Sequence, residues 1–140
     1  MKLHEYQSKE LLARYGIPVP GGDVATNASQ ARAIAEALGG RVVVKAQVLM
    51  GGRGKAGGVK LCSSAPEAAA ATEEMIGKRL VSKQNPTGMV VEKVLVAQMV
   101  DISEEYYLAA LLDRETQRLV VMISARGGMD MEEGAERERE

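Results

Sequence analysis

The chain has 140 residues, 46% of them hydrophobic and 26% charged, and its four aromatic side chains are all tyrosine. That balance suits one globular domain, or part of one, with a mainly aliphatic core. The formal net charge of −1, the single cysteine (Cys62) and the lack of any apolar run near 20 residues exclude three classes: a general nucleic-acid or membrane-surface binder, a disulfide framework and a membrane-spanning helix.

The polar start, MKLHEYQSKELL, lacks the apolar centre of a signal peptide, so the cytoplasm is the expected compartment. Leu3 to Tyr15 reads as a helix with Leu11, Leu12 and Tyr15 at helical spacing and Gly16 as its left-handed stop. The following IPVP forces extended chain. A second helix starts near Asn27 or Ser29, shows an apolar face of Ala31, Ile34, Ala35 and Leu38, and ends at Gly39-Gly40. Arg41 to Val48 reads as a buried strand and Val59 to Cys62 as a short second one, so the glycine-rich segment between them can sit on a hairpin.

Ser64 and Glu67, in SAPE, have capping-box spacing ahead of an alanine-rich helix that stops near Gly77. KRLVSKQNPTGM reads as polar, turn-rich chain. Three strands are expected after it, Val90 to Gln98, Tyr106 to Leu112 and Leu119 to Ser124, with DRETQ as the turn between the last two. This order lacks a regular βαβ alternation. The expected class is α/β (α+β), with a mixed or antiparallel sheet and helices on one side. Residues 1–129 read as a partial domain. The segment 130–140, with six acids, two arginines and almost nothing apolar, reads as a disordered charged tail, and the chain as a piece of a larger protein.

The segment VVVKAQVLMGGRGKAGGVKL carries the chemistry. Gly51, Gly52, Gly54, Gly57 and Gly58 give a backbone that can approach a ligand closely. Successive amides in such a loop form an anion-binding concavity. Arg53 and Lys55 place cations in the loop, and Lys45 adds one at the strand end. A forked guanidinium and a compact ammonium suit polyphosphate. The spacing is neither a Walker A loop nor a dinucleotide fingerprint, since it leads into a strand rather than a helix. What remains is a flap between two strands, mobile when empty, that closes over phosphates. The plain alternative is a solvated surface hairpin. A lysine following three valines favours the site, because a buried charge needs a partner.

Three stretches, LHEYQSKELLARYGIPVP, the glycine segment above and DISEEYYLAALLDR, together resemble the nucleotide-binding beta subunit of succinate–CoA ligase, an ATP-grasp enzyme; GGMDMEE resembles the family segment that follows. The resemblance implies an ATP-grasp amino-terminal part. Lys45 would contact the nucleotide phosphates, and Gly52, Arg53 and Gly54 would cover them. Pro20 falls near the base, at a position compatible with ATP. Ala97 and Val100 fall at base-side positions where other residues are commoner, and Glu105 matches an acid that faces the ribose. The implied reaction converts ATP, succinate and CoA to succinyl-CoA, ADP and phosphate through a phosphohistidine on a partner alpha subunit, which also binds CoA; GTP is the other candidate nucleotide. The implied Mg²⁺ ligands fall beyond residue 140, so the chain alone is expected to be inactive. Malate–CoA ligase and ATP-citrate lyase are the nearest alternative enzymes, and a non-catalytic stand-alone fragment is the other class.

The remaining candidates read as structural. His4, in the first helix, is a packing or capping residue. Adjacent Glu104 and Glu105 point to opposite faces of a strand and cannot act as an acid–base pair. Asp101 reads as a turn residue, Cys62 as a small buried hydrophobe and Met50 mainly as filler.

Overall fold

In a computed structural model, which describes residues 2–127, helix α1 (Glu5–Arg14) begins at His4, whose amide N–H donates to Gln7 Oε1 at 2.9 Å. It ends as predicted: Gly16 takes φ 77°, and the amides of Gly16 and Ile17 return to Ala13 O and Leu12 O. Its expected apolar face is a different matter. No residue of α1 is buried, and Leu11, Leu12 and Tyr15 are exposed. The helix is held instead through its polar first turn.

Helix α2 (Ala28–Ala37) starts on Asn27, whose side chain accepts from Gln30 N–H. Helix α3 (Ala65–Met75) starts on Ser64, whose hydroxyl accepts from Glu67 N–H. Glu67 returns a bond as the box requires, but to the amide of Ser63, one residue before the cap. Ala31 and Ala35 of α2 and Ala68 of α3 have no solvent exposure. Residues this small let the two helices pack closely on one sheet face.

That sheet has strand order β1 (Gly22–Ala25), β6 (Val94–Gln98), β2 (Val42–Ala46), β3 (Val59–Cys62), all neighbours antiparallel. Strand β1 escaped the sequence reading because its four residues include a glycine and an aspartate and carry no apolar alternation. Strand β2 is buried on one face only: Val42, Val44 and Ala46 enter the core, and Val43 and Lys45 lie half-buried on the other. The buried strand expected over Arg41 to Val48 is thus shorter, and only its alternate residues are fully buried.

The segment 79–90 is a correction. Instead of polar loop it forms a hairpin, β4 (Arg79–Ser82) and β5 (Asn85–Val90), with Arg79 opposite Val90 and Leu80 opposite Met89. Leu80 anchors it in the core, while Asn85, Pro86 and Gly88 sit within the strand pairing. The expected strand Val90 to Gln98 is consequently cut in two. Val90 belongs to β5, and Val91 turns back to bond Lys78 and Gly77 before β6 begins.

The chain forms two compact units, divided between Val100 and Asp101. In the second, β7 (Tyr107–Asp113) pairs with β8 (Arg118–Ser124) as an antiparallel hairpin. The turn is the predicted DRETQ segment, with Gln117 at φ 54° and Asp113 accepting from Glu115 N–H and Thr116 Oγ1. The predicted charged tail, 130–140, and most of the GGMDMEE segment lie outside the described residues.

Candidate nucleotide-phosphate site

Strands β2 and β3 are a hairpin with Lys45 opposite Val59, so the glycine loop joins two paired strands as expected. The loop is folded on itself. Ala56 N–H donates to Gly52 O, Gly57 N–H to Gly54 O, and Gly58 N–H to Arg53 O. Gly52 sits at φ 68°, a backbone conformation that side chains with a Cβ rarely adopt. A Cβ on Gly58 would lie 2.8 Å from Arg53 Cγ, so this glycine lets Arg53 fold back across the loop.

Lys45 and Arg53 are brought together. Lys45 lies on the sheet face opposite α2 and α3, and its Nζ is 2.8 Å from Glu5 Oε1 of α1. Arg53 reaches back from the loop, donates to Ala46 O at 3.0 Å, and places its second terminal nitrogen 2.6 Å from Glu5 Oε2. Lys9 Nζ lies 3.6 Å from Glu5 Oε1. Three cations thus surround one carboxylate. Burial pushes the Glu5 carboxyl up, but the hydrogen bond from Lys45 and the charges of Lys45 and Arg53 outweigh it and bring the pKa down to about 2. Lys9 is shifted down, first by burial and then by the like charge of Lys45.

Gln47 fixes this corner. It is buried, its Nε2 donates to Lys45 O at 3.0 Å, and its Oε1 accepts the Tyr6 amide at 3.2 Å. Neither Glu5 nor Gln47 was singled out by the sequence reading. Glu5 stands 40 residues from Lys45 and 48 from Arg53, a separation that no local pattern spans. The signal available was the lysine itself, whose partial burial demanded an acid somewhere.

Of the residues expected near the base, Ala97 lies in the same sheet. Ala97 pairs with Val43 on one side and Gly22 on the other, so it shares the face of Val43 and Lys45 and is nearly fully buried. Pro20 precedes Gly21, whose carbonyl accepts from Gln98 N–H at 2.7 Å, which sets Pro20 beside the end of β6. Val100 is half-exposed beyond that end. Gly54 lies in the loop beside Arg53 and, like it, is partly buried. Glu105 belongs to the second unit, is exposed, and accepts the Gly127 amide through its carbonyl. Lys55 is exposed.

The structural readings of His4, Cys62 and Met50 agree with the geometry, whereas Glu104 and Glu105 precede β7 instead of lying in a strand. His4 caps α1 and stacks on Tyr6. Cys62 is buried and its thiol is pushed up, first by burial and then by the charge of Glu67. Met50 packs against the core. Glu104 accepts a hydrogen bond from the Tyr106 hydroxyl.

The model of the ATP-grasp domain family matches residues 2–140. The chain belongs to the ATP-grasp family. Among curated proteins, this ATP-grasp chain is 54% identical over 135 residues to the succinate–CoA ligase [ADP-forming] subunit beta of Roseiflexus sp. (strain RS-1), covering 96% of this chain and 34% of that one. It is 53% identical over 135 residues to the succinate–CoA ligase [GDP-forming] subunit beta of Thermus thermophilus, with the same coverage. The chain therefore spans about a third of the length of the curated relatives it matches. Among solved structures, it superimposes with a TM-score of 0.71 and 25% identity on a dinucleotide-forming acetyl-coenzyme A synthetase of Ca. Korarchaeum cryptofilum in complex with coenzyme A and Ca-AMPCP, covering 88% of this chain and 53% of that one. An ATP citrate lyase from Methanothrix soehngenii shares the fold, with a TM-score of 0.72, 24% identity, and coverage of 91% of this chain and 32% of that one.

Proposed function

We propose that this ATP-grasp chain holds the phosphates and base of ATP within the beta subunit of an acid–CoA ligase, with succinate as the acid. The observation that carries the reading is the convergence of Lys45 and Arg53 beside a folded glycine loop, which is what a polyphosphate tail requires. Lys45 acts as a point charge from the sheet, and Arg53 with the backbone of Gly52 and Gly54 covers the phosphates from the loop. Pro20, Ala97 and Val100 line the base end. High identity to ligase beta subunits supports the acid–CoA class.

In that reaction ATP, succinate and CoA give succinyl-CoA, ADP and phosphate. The phosphoryl group travels through a phosphohistidine on a partner alpha subunit, which also holds CoA, in the cytoplasm. The work of these residues is electrostatic: they bind and orient the phosphates and offset charge as the terminal phosphoryl leaves. The donor set suits phosphate oxygens rather than a metal. Among the described residues no group of three or more His, Cys, Asp or Glu gathers around one point, and Glu5 is already engaged by cations. The Mg²⁺ that phosphoryl transfer uses screens phosphate charge and would be held by residues outside this set.

Isothermal calorimetry with ATP tests the site. Lys45→Ala is expected to weaken binding about tenfold or more, the scale of a lost charge-assisted contact. Equal affinity in both proteins would remove Lys45 from the site.

A further inference from the structure

We infer that Glu5 is a positioning residue of the phosphate site: its carboxylate ties Lys45 to Arg53 and clamps the glycine loop to helix α1. The inference deepens the nucleotide reading above and rests on it. Each Glu5 oxygen has its own cation, Lys45 Nζ at 2.8 Å on one and the Arg53 guanidinium at 2.6 Å on the other. Arg53 also bonds Ala46 O, the last carbonyl of β2, so one guanidinium links loop, strand end and helix. Without the carboxylate, two like charges would face each other across the loop and repel.

The carboxylate does not exhaust the cations. With Lys9 there are three positive groups around one negative one, which leaves a local excess of positive charge. An ammonium carries three donors and a guanidinium five, so both keep donors for a second anion. The anchoring has little competition from packing, because α1 buries none of its residues; it meets β2 through Glu5 and the residue after β2 through the Tyr6–Gln47 bond. Glu5 touches the groups that hold the phosphates, and it acts through them.

The test compares this chain with its Glu5→Gln, Glu5→Asp, Lys45→Ala and Arg53→Ala variants. Inorganic tripolyphosphate is titrated by calorimetry, and amide hydrogen exchange of Ala56, Gly57 and Gly58 is followed without ligand. Glu5→Gln should weaken tripolyphosphate binding about tenfold and speed exchange of those three amides several-fold. Glu5→Asp should fall between it and wild type, and it carries the comparison if the Gln variant does not fold. Unchanged affinity and exchange in Glu5→Gln, with Lys45→Ala and Arg53→Ala still weakened, would overturn the role of Glu5 and leave the phosphate site standing. Tighter binding by Glu5→Gln would also overturn it, by showing that the carboxylate competes with phosphate. Wild type that takes up no tripolyphosphate would sink the phosphate site itself, and the positioning role with it.

Discussion

Glu5 sets the pH response of the corner where it sits. The charged groups facing it are Lys9, Lys45 and Arg53, so its carboxylate is the member of the cluster that titrates in acid. Its folded pKa, about 2, lies below the ordinary glutamate value. The unfolded chain therefore binds its proton first as pH falls. The stability it contributes is complete above the ordinary glutamate range and is lost as pH drops from there through about 2. Allowing for its partial exposure, that contribution is on the order of 2 kcal/mol. Urea unfolding at pH 5.5, 3.5 and 2 should show wild type losing that amount relative to Glu5→Gln. Parallel pH profiles for the two would contradict the ion-pair account. Gly52 makes a second residue-scale prediction. At φ 68°, with Ser82 Cβ 3.3 Å from where its own Cβ would lie, Gly52→Ala should cost about 1–2 kcal/mol. An unchanged urea midpoint would mean that the loop relaxes freely.

At the scale of elements, the sequence was most legible where caps and glycines mark ends. Asn27, Ser64 and Gly16 delimit helices as their chemistry predicts, and Lys45 with its loop stood out because a charge at the end of a valine run is unusual. It was least legible where tertiary pairing overrides composition. Asn85, Pro86 and Gly88 are turn formers by propensity, yet they lie in β5 because Leu80 inserts into the core and carries the hairpin with it. The partner of Lys45 was hidden for the same kind of reason, since it comes from a helix far away in the chain. The hairpin β7–β8 shows the opposite imbalance. Leu108 pairs with Ile123, Ala110 with Val121 and Leu112 with Leu119, so these aliphatic side chains share one face. Among the described residues that face is exposed, with Leu108 at 70% and Ile123 at 77%. A two-stranded sheet with an uncovered apolar face is marginal in water. The chain should therefore enhance the fluorescence of an apolar dye such as ANS, and Leu112→Lys with Leu119→Glu, a cross-strand ion pair on that face, should reduce the signal at least twofold. No change in fluorescence would show that the dye binds elsewhere.

On the scale of the whole molecule, one four-stranded sheet separates two kinds of chemistry. One face packs α2 and α3 through Val42, Val44, Ala46, Val94 and Val96, and this aliphatic layer fixes the strands. The other face carries Lys45 and Ala97 two strand positions apart in register, roughly 7 Å along the strand. On the proposed reading, a nucleotide laid along β2 and β6 would have its base beside Ala97 and its phosphates beside Lys45. No described helix is long and apolar enough to cross a membrane. Phosphate capture by Lys45 and Arg53 is the step on which the proposed function depends. Side-chain nitrogen NMR of those two residues tests it most directly, with ATP and adenosine added in turn. ATP should shift the Lys45 Nζ and Arg53 Nε signals together, while adenosine leaves both in place. Equal shifts from the two ligands, or no shift with saturating ATP, would contradict it.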